Sequence, residues 1–208
     1  MKATPHQWRL AGILALAFGA AILANVSLRT LTKAETSSAD QVEVPRSCVE
    51  NRAGKLFRHG ATVAFTGWVV DFHADGALKL RSFVKDGRLD GDSEGWFANG
   101  SPEVREHFQR GLPHGLRTTW HENGRMRSEG QLVAGQQHGV YRQWHENGEL
   151  AAEAEFFDGK PHGLSRAWYP SGCLKAEALM NHGEVQTRQV YPDGAQREPT
   201  LFAANQVP

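Results

Sequence analysis

GVYRQWHENGELAAEAEFFDGKPH, residues Gly139 to His162, carries the pattern on which the rest of the chain is built. It is the cleanest copy of a 24-residue unit that recurs from about Phe65 to Gln186. Gly67, Gly91, Gly115, Gly139 and Gly163 stand 24 apart, as do Gly76, Gly100, Gly124, Gly148 and Gly172, and Gly87, Gly111, Gly135, Gly159 and Gly183. A sixth, partial unit ends at Tyr191 to Gly194, two residues short of the period. Three glycine registers without slippage mark a repeat architecture, in which each unit is one supersecondary element stacked on its neighbours.

Inside each unit the middle glycine closes a turn, at Asp75-Gly76, Asn99-Gly100, Asn123-Gly124, Asn147-Gly148, Ser171-Gly172 and Asp193-Gly194. These dipeptides supply positive φ, and runs of strand-forming residues flank them, so each unit reads as a β-hairpin. A two-residue loop would mix apolar and charged residues on both faces. A three-residue loop, Glu122-Asn123-Gly124, pairs Trp120 with Met126 and Thr118 with Ser128. The same choice pairs Trp144 with Leu150, Trp168 with Leu174 and Phe72 with Leu78, and puts Pro170 and Pro192 on the first loop residue, where type I turns favour proline.

Strict alternation then gives one apolar face, with Phe72, Trp96, Trp120, Trp144 and Trp168 over Leu80, Val104, Ala152, Ala154, Phe156, Ala176 and Ala178 among others. The opposite face carries His121, Arg125, Arg127, Glu129, Gln143, His145, Glu149, Glu153, Lys175 and Glu177. The fold class is all-β: an open antiparallel repeat sheet of tandem hairpins, five full and one partial, over 67–196, preceded by an N-terminal hydrophobic helix. At about 4.8 Å per strand, five hairpins span on the order of 50 Å. No helical segment inside the repeats supplies a second layer, so the apolar face must curl, be covered by a tail, or meet a partner.

Lys2 and Arg9 precede the uncharged run Leu10 to Leu28, and Arg29 follows; residues 1–29 are a single-pass signal anchor or a cleaved signal peptide. Both put the repeats outside the cytoplasm, in the periplasm of a bacterial inner membrane for the anchor, secreted or periplasmic for the cleaved form. Residues 30–46 read as a flexible linker, 47–66 as an N-terminal cap and 197–208 as a tail that covers the last hairpin.

Charge speaks against nucleic acid. Beyond Arg29, 20 basic residues face 23 acidic ones, with no basic stripe. Cys48 and Cys173 lie four hairpins apart, some 40 Å by strand spacing, too far for an internal disulfide; they are free thiols, or Cys48 bridges two chains. Histidines recur at His114, His138 and His162 and at His121 and His145, but equivalent positions stand roughly 10 Å apart and cannot converge on one ion, so they read as structural loop residues. Glu129, Glu153 and Glu177 are likewise too widely spaced for a paired-carboxylate hydrolase and read as a solvated face with cross-strand partners such as Arg117 for Glu129. No catalytic, metal or cofactor constellation emerges.

The tryptophan ladder is the candidate binding surface: Trp96, Trp120, Trp144 and Trp168, together with Arg142 and Arg166. Its rings either present an interaction face or pack on the small residues of neighbouring hairpins, with Arg142 and Arg166 laid across them.

The unit resembles the bacterial variant of the MORN repeat found in the YwqK-type, antitoxin-labelled family. The resemblance rests on FTGWVVDFHADGALKL (Phe65 to Leu80), the WHENG turns at Trp120 and Trp144, and the steps DGRLDG (Asp86 to Gly91) and DGKPHG (Asp158 to Gly163). It implies an open sheet of hairpins, no catalytic residues, and roles in protein binding, membrane association or toxin neutralisation. The expectation is a repeat scaffold on the outer side of the cytoplasmic membrane that binds a protein partner through its sheet; antitoxin or immunity activity and envelope carbohydrate or lipid binding are the alternatives.

Overall fold

The computed structural model of the protein describes residues 42–194. Strands β4 (Gly67–Phe72), β5 (Leu78–Lys85), β6 (Arg88–Trp96), β7 (Pro102–Gln109), β8 (Leu112–Pro113), β9 (Gly115–Trp120), β10 (Met126–Val133), β11 (Gln136–Trp144), β12 (Leu150–Phe157), β13 (Lys160–Trp168), β14 (Leu174–Asn181) and β15 (Glu184–Val190) form one antiparallel meander. β1 (Glu43–Pro45) adds to its first edge, parallel to β4. A separate hairpin, β2 (Val49–Arg52) with β3 (Lys55–Arg58), precedes it.

Two kinds of turn alternate along the meander. The WHENG-type loops have three residues: the Gly124 N–H donates to His121 O at 2.9 Å, the His121 N–H donates to Arg125 O at 2.8 Å, and Gly124 sits at φ 80°. This is the loop read from the sequence, and Trp120 pairs with Met126, Trp144 with Leu150, Trp168 with Leu174 and Phe72 with Leu78 as expected. The opposite turns have two residues, both at positive φ. In Ala134-Gly135 the angles are 50° and 83°, the type I′ geometry that matches the twist of the flanking strands.

The predicted pairing fails one step beyond each three-residue loop. Ser128 pairs with Thr119 and Glu129 with Thr118, because Arg127 is an extra, bulged residue. Ala151 and Lys175 do the same in the next two units. A one-residue bulge inverts the side-chain parity of everything after it. Leu80, Val104, Ala152, Ala154, Phe156, Ala176 and Ala178 therefore lie on the face opposite the tryptophans, and Glu129, Glu153 and Glu177 join the tryptophan face. The first glycine register marks another irregularity. Glu129 pairs with Arg142 and Gln131 with His138, so Gly139 to Tyr141 stand opposite Gly130 alone, with Gly139 at φ 73°.

The core is confined to the junction of the cap with the first strands of the sheet. Val44, Val49, Phe65, Val69 and Val84 are buried together, with Val42, Leu56 and Leu89 packed against them, and Val84 is 0% exposed. The β2–β3 hairpin is sewn on by Leu56 N–H to Gly87 O at 2.8 Å and Phe65 N–H to Leu56 O at 2.9 Å. The expected linker thus ends earlier than residue 46: Val44 pairs with Val69 and is buried. The hydrophobic run Leu10 to Leu28 and the tail 197–208 lie outside the described residues. Among the described residues no helix is long and apolar enough to cross a membrane.

Candidate functional site

Trp96, Trp120, Trp144 and Trp168 end β6, β9, β11 and β13, each one residue before a three-residue turn, and each is half-buried. The carbonyls of three of them, and the loop that follows Trp120, are held by the preceding unit. Nε2 of His73, His121 and His145 donates to the carbonyls of Trp96, Trp144 and Trp168 at 2.8, 2.9 and 2.9 Å. Nδ2 of Asn99, Asn123 and Asn147 donates to the carbonyls of Glu122, Glu146 and Pro170 at 3.1, 3.0 and 2.7 Å. The WHENG sequence is therefore a lateral clasp: its His and Asn hold the next loop, and its Gly makes its own.

The other edge is clasped by backbone. Gly111, Gly135, Gly159 and Gly183 donate their N–H groups to the carbonyls of Leu89, Pro113, Gln137 and Pro161 at 2.7 to 2.9 Å. Turn groups that would otherwise need water are satisfied inside the sheet.

Two residues before each tryptophan, on the same face, runs a transverse row of charges. Arg81, Glu94, Arg105, Thr118, Glu129, Arg142, Glu153, Arg166 and Glu177 are Cα partners in succession from β5 to β14. Arg105 Nε lies 3.0 Å from Glu94 Oε1, and Arg142 Nε 2.7 Å from Glu153 Oε2. Arg166 Nε stands 4.0 Å from Glu177 Oε2. Opposite charges directly across strands stabilise the register and penalise slips.

This row corrects three expectations. Arg142 and Arg166 pair with glutamates and are not laid across tryptophan rings; the guanidinium over an indole is that of Arg81, 4.0 Å from the Trp68 centroid. Arg117 pairs with Glu106 at 3.3 Å, while Glu129 stands between Thr118 and Arg142. Glu177 is 2% exposed rather than solvated, and accepts a hydrogen bond from the Tyr191 hydroxyl at 2.8 Å.

The loop histidines His121 and His145 are structural, as read. His162 and His182 touch at 5.0 Å between ring centroids, and His138 touches Phe157 at 5.7 Å. Among the described residues no group of three His, Cys, Asp or Glu could hold a metal ion, and Cys48 and Cys173 are free thiols.

Sequence reasoning missed a feature of the opposite face, a concavity of about 300 Å³ between β9, β10 and β11 lined by Arg117, Arg127, Gln137, Tyr141 and Gln143. Its signal is a break in the repeat: positions equivalent to Gly130 are Ser82, Glu106, Ala154 and Ala178, and those equivalent to Tyr141 are Ser93, Arg117 and Ser165.

Two of those units match a known repeat profile. A MORN repeat variant is found at residues 113–133 and again at 137–158. The two MORN segments span β8 to β10 and β11 to β12, each with its WHENG clasp inside. No curated protein gives a significant match. Two solved structures show partial likeness. One is a mutant of S. aureus TarM in complex with fondaparinux, α-GlcNAc-glycerol and UDP, at 8% identity and TM-score 0.30, covering 46% of this chain and 19% of that one. The other is also a TarM structure, at 9% identity and TM-score 0.28, covering 46% and 18%. The chain thus spans about a fifth of the length of the structures it matches.

Proposed function

We propose that this protein is a MORN-type repeat scaffold that binds a protein partner through its sheet, on the outer side of the cytoplasmic membrane. One observation carries the reading. Four half-buried tryptophans stand in line on one face, three of them with carbonyls held by histidines of the preceding unit, with a charge row beside them that restricts which partners fit. Tryptophan and arginine are the residues that most often dominate binding energy, and a paired charge row adds selection by complementarity. The envelope location is supported by the sequence, in which Leu10 to Leu28 follows Lys2 and Arg9.

Crosslinking of the full-length protein in intact cells, with crosslinkers placed along the tryptophan face, tests it. One recurrent protein should be captured, and Trp120→Ala with Trp144→Ala should weaken it by about 2 kcal/mol or more, roughly thirtyfold in Kd, while circular dichroism stays that of the parent. A captured toxin would specify the neutralising form of the same reading. Capture of cell-wall glycan alone, or undiminished capture by the folded double variant, would overturn it.

A further inference from the structure

The concavity on the opposite face differs in kind from the rest of the sheet. At the position of Ser82, Glu106, Ala154 and Ala178 in other units, β10 has Gly130, and a Cβ there would lie 2.7 Å from Tyr141 Cδ2 and 3.1 Å from Gln137 Nε2. The missing side chain lets the Tyr141 ring lie against bare backbone, where it also meets Phe156 edge-on at 6.0 Å. Gly139 to Tyr141 stand opposite Gly130, an irregularity that recurs opposite Ala154, so it is the glycine that sets this place apart.

Around it, donors exceed what the protein uses. Arg127, the bulged residue of β10, is exposed and makes no hydrogen bond or ion pair among the described residues, and neither does the side-chain amide of Gln137. Gln143 Nε2 donates to the Tyr141 hydroxyl at 2.8 Å, which leaves the phenolic proton of Tyr141 unspent. Arg117 is balanced by Glu106 at 3.3 Å, so the local surplus is the one positive charge of Arg127. A positive, donor-rich recess of about 300 Å³ has room for one side chain and the backbone beside it.

We propose that this recess receives an aspartate or glutamate carboxylate from an extended acidic segment of a protein partner. Arg127 supplies charge-assisted hydrogen bonds, Tyr141 and Gln137 supply neutral donors, and the paired Arg117 and Glu106 bound the recess on the β7 side. The inference rests on the protein-scaffold reading but places a contact on the face away from the tryptophans.

The test is fluorescence polarisation of full-length protein in detergent with a fluorescein-labelled, end-blocked peptide of alternating glycine and glutamate, against its glutamine counterpart. The glutamate peptide should bind at least about tenfold more tightly, the preference should shrink as salt is raised, and Arg127→Gln should weaken it by a similar factor. Arg125→Gln, a neighbouring arginine whose Nη1 donates to Glu146 O, should bind as the parent does. Tyr141→Phe should reduce affinity less than Arg127→Gln. Equal binding of the two peptides, insensitivity to Arg127→Gln, or acetate competing as well as the peptide would overturn the assignment. The Trp120→Ala and Trp144→Ala double variant should retain peptide binding, so failure of this site and failure of the tryptophan-face reading are separate results.

Discussion

At the scale of the residue, one row of the sheet contains the same chemistry at two depths. Glu153 is 31% exposed and pairs with Arg142, itself 46% exposed, at 2.7 Å. Glu177 is 2% exposed, with Arg166 at 4.0 Å and the Tyr191 hydroxyl at 2.8 Å. Water screens the first pair, and Arg142→Ala should cost under about 1 kcal/mol in chemical denaturation. Tyr191→Phe removes a donor from a buried carboxylate and should cost about 1–3 kcal/mol by the same measurement. A smaller cost for Tyr191→Phe than for Arg142→Ala would show that burial does not set the energetics of this row. The loop histidine His121 belongs to the same scale: His121→Ala releases the Trp144 carbonyl and should lower stability by about 0.5–1.5 kcal/mol.

At the scale of the element, the two turn types carry different conformational loads. The three-residue loops place glycine at their left-handed position, whereas the two-residue turns force Asp86, Arg110, Ala134, Asp158 and His182 to positive φ. Alanine tolerates that region poorly and asparagine tolerates it well. Ala134→Asn should therefore raise stability by about 0.5–1 kcal/mol, read as an increase in Tm. The contrast also explains what was legible beforehand. Asn-Gly dipeptides and Pro170 announce the three-residue loops, and their pairings were readable from those residues alone. The bulges were not, because Arg127, Ala151 and Lys175 are ordinary residues without positive φ, and nothing in their identity signals an extra place in the ladder. Every face assignment beyond them was inverted as a result. β1 was equally hidden: three residues in a polar stretch become a strand only because Val44 reaches the buried cluster of the cap. In the candidate site the tryptophans stand at equivalent strand ends, while Arg142 and Arg166 pair with glutamates.

At the scale of the whole sheet, stability is unevenly distributed. Every buried apolar side chain among the described residues lies between Val44 and Val84, while β15 is exposed at every position. Repeat arrays sum local stabilities and neighbour terms, so opening should start far from the cap. Amide hydrogen exchange should show protection declining from β4 toward β15; uniform protection would contradict this. Val84→Ala should cost about 2–3 kcal/mol through lost burial and a new cavity, against well under 1 kcal/mol for Val133→Ala, whose side chain is 47% exposed.

The lateral clasps have a metric consequence. Because each loop grips the carbonyl of its successor, neighbouring units cannot slide, and the interval from one indole to the next is held at the pitch of two strands, roughly 10 Å. The sheet is thus a graduated ruler. A partner with contact points at that interval can engage several graduations at once, each added point acting at high effective concentration, whereas one whose points fall between graduations gains only a single contact. Removing a whole unit, such as Gly115 to His138, would shorten the scale without changing its divisions.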